Sequence, residues 1–308
     1  MKRRALLQLA TSLGLASVLA GVIKTAAEDS RESSSTDRIK PLVPPADGRI
    51  PVAFLLSEGA VVIDFAGPWE VFENVEVPGP TSHPFQLFTV AESEAPILAS
   101  GGMRILPNYT LAAAPLPKIA VIPAQSTTSP AVVDWIRKVS KTADLVMSVC
   151  TGAFVLAETG LLAGKPATTH HSAYADLAMS YPQVFVKRGA RFVEVGNLAT
   201  AGGLSSGIDL ALRVVERYFG KAVAQSTADT LEYQGLGWTD PHSNSAYAKR
   251  RVSTDAHPLC AVCEMDIDRA TAPSSQYRGH AYYFCMPAHK ALFDSKPELF
   301  ADAGLAGA

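Results

Sequence analysis

The chain has 308 residues, with 27 Lys+Arg against 29 Asp+Glu and a formal net charge of −2, which excludes a nucleic-acid binder held by bulk positive charge. Hydrophobic residues make up 48% and charged residues 18%, enough for a large core and too little charge for disorder over the whole chain. At about 150 residues per domain the length predicts two domains, and four cysteines are too few for a disulfide scaffold, so each needs its own explanation.

Residues 1–27 open with Lys2, Arg3 and Arg4, continue through a weakly apolar stretch from Ala5 to Ile23 and end in small residues. This is the layout of an export signal cleaved near Ala27. Arg3-Arg4 ahead of Ala5-Leu6-Leu7 resembles a twin-arginine signal, with Lys2 and Leu6 departing from its usual pattern. A general secretory signal and an uncleaved membrane anchor are the alternatives. The expected location is therefore the periplasm or the medium, with membrane contact only if the signal is retained. Losing residues 1–27 removes four cations and no acid, so 23 basic groups then face 29 acidic ones and the charge becomes −6. Residues 28–49, polar, Ser-rich and Pro-containing, read as a tether.

From 50 to 235 short apolar runs alternate with helical patterns. Strands are predicted at Ile50–Leu56, Phe85–Val90, Ile119–Ile122 and Leu145–Val149, with a short one at Pro166–Thr169. Helices are predicted at Pro68–Asn74, Pro130–Lys141, Gly152–Leu162, Ser172–Ser180 and Ser206–Phe219, the last with Ile208, Leu212, Val215 and Tyr218 on one stripe. Such alternation predicts an α/β domain with a mostly parallel sheet covered on both faces, its ligand crevice at the carboxyl ends of the strands.

At one of those ends Ser148-Val149-Cys150-Thr151-Gly152 joins a strand to a helix with the small-x-nucleophile-x-small spacing of a nucleophile elbow. The turn lifts Cys150 to a helix N-terminus, which favours a thiolate; a buried cysteine packing as a small hydrophobe is the bland alternative. Asp64, an acid among apolar residues in VVIDFAGPWEVF, reaches the same crevice as a proton donor, or else caps a helix beginning near Pro68. Glu70 faces solvent or packs on the helix. His170, 20 residues beyond Cys150, either attends the thiol or packs; His171 is read as packing.

Three blocks, DFAGPWEVF, SVCTGAFVLAETGLLAGKPATTHH and TAGGLSSGIDLAL, together resemble the ThiJ/PfpI family of the class I glutamine amidotransferase-like fold, in its isonitrile hydratase branch, over about residues 50–235. The resemblance implies a flavodoxin-like three-layer α/β/α sandwich, a homodimer, and a small-molecule substrate. It makes Cys150 the nucleophile, Asp64 the acid facing it and Thr151 its polar neighbour, and places His170 where many members have a histidine near the cysteine. No cofactor is implied for this domain.

Residues 236–256 are rich in turn formers and carry Lys249-Arg250-Arg251, which reads as a solvated linker. Three of the four cysteines follow. Cys260 and Cys263 form a C-x2-C pair, and Cys285 with His289 a C-x3-H pair after 21 intervening residues. Two such pairs suit one tetrahedral ion, Zn(II) or Cu(I); a Cys260–Cys263 disulfide or metal-free packing are the alternatives. QYRGHAYYFC reads as a hairpin turning at Gly279, and AHKALFDSKPELF as a short helix with His289 inward. This block, residues 257–301, resembles a YHS domain, a small treble-clef-like α+β module. It departs from the pattern at Glu264, where Gly is usual, and at His289, where Cys is usual.

The expected function is an exported, cysteine-dependent hydro-lyase that converts an isonitrile to an N-substituted formamide, with an appended metal module. A non-catalytic redox or ligand sensor, or a metal-handling protein, is the alternative. Neither reading involves nucleic acid.

Overall fold

The computed structural model describes residues 39–79, 82–126, 128–249 and 251–301; the export signal and half of the tether, residues 28–38, lie outside them. Seven strands, β1 (Ile50–Leu55), β2 (Phe85–Ala91), β3 (Tyr109–Thr110), β4 (Ile119–Ile122), β5 (Leu145–Ser148), β6 (Phe192–Val195) and β7 (Leu198–Ala201), form one sheet in the order β6-β7-β5-β4-β1-β2-β3. Every pairing is parallel except β6 with β7.

Side-chain alternation splits each central strand between two layers. Val52, Phe54, Ile119, Val121, Leu145 and Met147 share a core with α1 (Val62–Glu73), α5 (Ser206–Phe219) and α6 (Lys221–Thr230), through residues such as Phe72, Leu212, Val215 and Ala224. Ala53, Leu55, Ala120, Ile122 and Val146 share another with α2 (Pro130–Val139), α3 (Gly152–Glu158) and α4 (Tyr174–Ser180), through Ile136, Leu156 and Leu177. Strands buried on both faces have no polar side to show, hence their near-continuous apolar sequence. Each fully buried Val, Leu or Ile contributes about 1.5–3 kcal/mol. The result is the flavodoxin-like α/β/α sandwich with a mostly parallel sheet that the sequence predicts.

Several boundaries differ from expectation. Helix α1 begins at Val62, six residues before Pro68, so Asp64 sits in its first turn and Pro68 lies inside it, buried beside Phe65, Val71 and Phe72. Packing of this face outweighs the roughly 3 kcal/mol cost of an interior proline, and the Pro that reads as a start signal is not one. Ser172–Ser180 divides into a 3-10 turn, His171–Ala173, and α4. Pro166–Ala167 pairs with Phe185–Val186, apart from the main sheet. Strands β3, β6 and β7 and helix α6 add to the predicted elements.

The supposed linker 236–256 is partly core. Trp238 is 1% exposed and sits in the cluster beneath α5, and Asn244 is buried, accepting from Arg191 Nη1 at 3.1 Å. Nor is the basic run wholly solvated, for Arg251 donates to the Glu264 carbonyl (2.9 Å) and to Asp266 (3.0 Å). The end of the tether also docks: Leu42 N–H donates to the Arg217 carbonyl at 2.9 Å.

In the tail, Ser274–Tyr277 and His280–Tyr283 form the expected hairpin, and α7 spans Pro287–Ser295. Its two turn residues, Arg278 and Gly279, have φ of 50° and 81°, the left-handed pair that a two-residue hairpin loop requires. From Ile39 onward the chain is one compact unit, and among the described residues no helix is long and apolar enough to cross a membrane.

Candidate active site and metal centre

Strand β5 ends at Ser148, and Cys150 N–H donates to the Gly202 carbonyl (2.9 Å) just beyond β7. Cys150 has φ of 58°, a left-handed conformation that a side chain adopts only under constraint. The constraint comes from Gly152, where a Cβ would stand 2.2 Å from the Ile122 carbonyl oxygen and 2.7 Å from that of Pro123. Only glycine lets α3 start that close to the end of β4, which is the physical reason for the small residue two places after Cys150.

The structure brings Asp64 to Cys150. Asp64 is 0% exposed and its Oδ2 accepts the Ala124 N–H at 3.1 Å, while Val61 N–H donates to the Ala124 carbonyl at 2.8 Å, tying the start of α1 to the end of β4. Oδ1 is buried with no donor at ordinary hydrogen-bond geometry, and the ionisable group beside the carboxylate is the Cys150 thiol. Burial pushes the Asp64 carboxyl up to about 6, against the Ala124 N–H and the thiol, which favour its charge. Burial, and then the negative charge of Asp64, push the Cys150 thiol up to about 11.

This corrects the thiolate expected at the helix N-terminus. At neutral pH the pair rests as thiol and carboxylate, because desolvation and the adjacent carboxylate outweigh the backbone N–H groups of Thr151 and Leu204 that point to the sulfur. The arrangement can pass the thiol proton to Asp64 as sulfur attacks, and return it to the bound molecule, while those two N–H groups stabilise charge on sulfur.

Thr151 occupies the N-cap position of α3 with its side chain making no capping bond, and it meets the Cys150 sulfur through its backbone N–H. Of the two readings of His170, attending the thiol or packing, the geometry favours packing. Its Nδ1 lies 2.8 Å from Ser172 Oγ, and its ring abuts Gly203, where a Cβ would meet Cδ2 at 2.3 Å. Burial and His171 lower its pKa. It therefore supports the 202–205 loop, whose Leu204 (φ 44°) aims an N–H at Cys150. The residue next to it, Thr169, touches the nucleophile's backbone, donating from Oγ1 to the Cys150 carbonyl at 2.9 Å. Sequence reasoning missed Thr169, Ala124 and Leu204, two of which act through backbone atoms; the Gly202-Gly203 pair was the one available signal for the Leu204 loop.

In the tail the ligand atoms of Cys260, Cys263, Cys285 and His289 all lie within 4.8 Å of one another. His289, fully buried, presents Nδ1 to Cys285 Sγ (3.2 Å) and Cys260 Sγ (3.6 Å), and Cys263 and Cys285 sulfurs are 3.5 Å apart. All four cysteines in the protein are free. His289 Nε2–H donates to the Ala178 carbonyl at 2.9 Å, which leaves Nδ1 as the lone-pair nitrogen facing the sulfurs, the tautomer a metal ligand needs. The Cys263 thiol, hydrogen-bonding to the Cys260 sulfur, holds Cys260 well below the usual thiol range, and Cys263 is pushed up in turn. Burial pushes up Cys285. Three sulfurs and an imidazole nitrogen, all within 4.8 Å of one another, are a donor set that fits a soft or borderline cation.

Comparison with known proteins places this geometry. The DJ-1/PfpI family model matches residues 51–217. The chain is 34% identical over 187 residues to isonitrile hydratase of Pseudomonas putida, covering 59% of this chain and 78% of that protein. It is 34% identical over 184 residues to the HTH-type transcriptional regulator CdhR of Pseudomonas aeruginosa, covering 58% of this chain and 53% of the regulator's length. Among solved structures, a ThiJ/PfpI family protein from Pseudomonas syringae aligns with a TM-score of 0.54 at 23% identity, over 68% of this chain and 84% of that one, a likeness of fold. With a matched model over more than half its length, an elbow cysteine facing a buried acid, and this fold, the chain belongs to the DJ-1/PfpI family.

Proposed function

We propose that the protein hydrates an isonitrile to an N-substituted formamide through Cys150. The observation that carries the reading is the buried Asp64–Cys150 pair, a neutral thiol beside a carboxylate whose pKa of about 6 suits proton transfer near neutrality. The Cys150 sulfur attacks the terminal carbon of R–N≡C, its proton passing through Asp64 to that same carbon, to give the thioformimidate Cys–S–CH=N–R. Water adds across the C=N bond, hydroxyl to carbon and proton to nitrogen. The C–S bond then breaks, the hydroxyl proton returns to sulfur, and R–NH–CHO leaves. Covalent capture divides one difficult hydration into two easier steps.

The test is incubation of purified protein with cyclohexyl isonitrile and detection of N-cyclohexylformamide. Cys150→Ser should abolish turnover, and Asp64→Asn should lower it by about 10²–10⁴-fold. No formamide from the wild type, or undiminished turnover by Cys150→Ser, refutes the reading. The competing sensor reading draws on the regulators among the relatives. A thiol held near 11 opposes it, since the thiolate is the form that oxidants attack.

Cys260, Cys263, Cys285 and His289 are the residues that would hold Zn(II) or Cu(I), supplying a cross-link in a module of about 45 residues too small to bury much. Counting metal on the protein by mass spectrometry under reducing conditions decides this, and zero stoichiometry refutes it. Export rests on Lys2, Arg3, Arg4 and the apolar stretch after them; recovery of the protein in the periplasmic fraction with residues 1–27 removed is the expected result.

A further inference from the structure

His289 and Glu264 are two residues through which the tail makes polar contact with the α/β domain. His289 offers Nδ1 to the sulfurs of Cys260 and Cys285 and Nε2 to the carbonyl of Ala178, near the end of α4. A cysteine at 289 could serve the cluster but has no second atom for α4. Glu264 follows Cys263 directly, has φ of 63°, is 9% exposed, and pairs with Arg188 at 2.5 Å. A side chain in that left-handed conformation carries backbone strain that glycine would avoid. Its carboxylate is therefore retained for a contact, and that contact also bears on α4, since the Arg188 guanidinium lies 5.1 Å over the ring of Tyr174, the helix's first residue. The apolar seam beneath shares Ala178, Phe185 and Val186 of the large domain with Val262, Phe284 and Phe293 of the tail.

Both ends of α4 are thus held from the tail, and α4 leads back toward Cys150. It follows the 3-10 turn His171–Ala173, which follows His170, packed on Gly203, and Thr169, bonded to the Cys150 carbonyl. We propose that the Cys/His cluster is an ion-dependent clamp on α4, through which metal occupancy sets the rigidity of the wall behind Cys150. The inference rests on the metal-binding reading, but not on the hydratase reading.

The test uses the full chain, zinc-free or loaded with Zn(II), with stoichiometry measured in each sample. Zinc should slow amide hydrogen exchange over residues 168–180 roughly tenfold, and should slow alkylation of the 8%-exposed Cys150 by iodoacetamide comparably, because both need local opening. His289→Cys keeps four ligand residues and removes the bond to Ala178. Glu264→Gly keeps every ligand and removes the pair with Arg188, together with the bond from the Arg251 N–H. Each variant, loaded with one zinc, should show the effect reduced to about twofold or less. Absence of bound zinc in the wild type refutes the metal reading and the clamp together. Zinc bound at one per chain that leaves either readout unchanged overturns the clamp alone, as does a zinc-loaded variant with wild-type protection.

Discussion

Replacing Asp64 by Asn tests the electrostatic argument at its base. The Asp64 carboxyl rises from an ordinary 3.8 to about 6 in the fold. At about 1.4 kcal/mol per pH unit, ionising it in place costs about 3 kcal/mol relative to the unfolded chain. The folded state binds the proton more tightly, so this stability is present below pH 3.8 and is lost as pH rises through about 6. The substituted asparagine has nothing to ionise; its carbonyl can still accept from Ala124, and any cost of its amide is independent of pH. Unfolding midpoints of wild type and Asp64→Asn in urea, at pH 4 and pH 7.5, isolate the difference. The variant should gain most of about 3 kcal/mol on the wild type between the two, a shift of several degrees if read as Tm. A gap that stays constant, or moves in the wild type's favour with rising pH, means that the fold welcomes the carboxylate as an ion, and the proton-transfer argument fails.

The same substitution should accelerate iodoacetamide alkylation of Cys150 at pH 8 even as it lowers formamide production, because removing the carboxylate's charge lowers the thiol's pKa; slower alkylation would contradict the pairing. The wild-type kcat/KM for isonitrile should rise with pH through about 6, as Asp64 ionises and can accept the thiol proton, and a profile flat between pH 5 and 7 would exclude that role. Gly152→Ala drives a methyl into the carbonyls of Ile122 and Pro123 and should destabilise the fold by more than about 3 kcal/mol in urea titration; a loss below about 1 kcal/mol would show the elbow is slack. His170→Ala should reduce turnover by about tenfold or less without moving the pH profile, as suits a residue packed on Gly203; a displaced limb would make it a proton carrier.

Much of the large domain was legible because buried parallel strands leave no polar side to disguise them: β1, β2, β4 and β5 lie within one residue of their predicted limits. The strands β6 and β7 escaped because Glu194 and Thr200 interrupt the apolar run, and β3 is two residues long. Cys150 and Asp64 were found from spacing and from an acid in apolar company. Their protonation was not, since spacing shows the helix N-terminus but not the burial that overrides it. His170 stayed open between two readings because adjacency to the crevice says nothing about which way a ring packs. The four tail ligands were readable as two spaced pairs, whereas the second bond of His289, to Ala178, joins residues 111 apart and no local pattern encodes it.

Trp238 has a bearing on how the protein can be dissected. Sequence composition invites a cut after Gly235 to obtain the α/β domain alone. Such a fragment would lack an indole that is 1% exposed and packed beneath α5, leaving a void whose cost resembles a large-to-small core substitution, about 3–5 kcal/mol. It would also lose Asn244, a partner of Arg191 in the network that reaches Asp209. The boundary suited to expression falls after Ala248, and any activity comparison between fragment and full chain should be made from there.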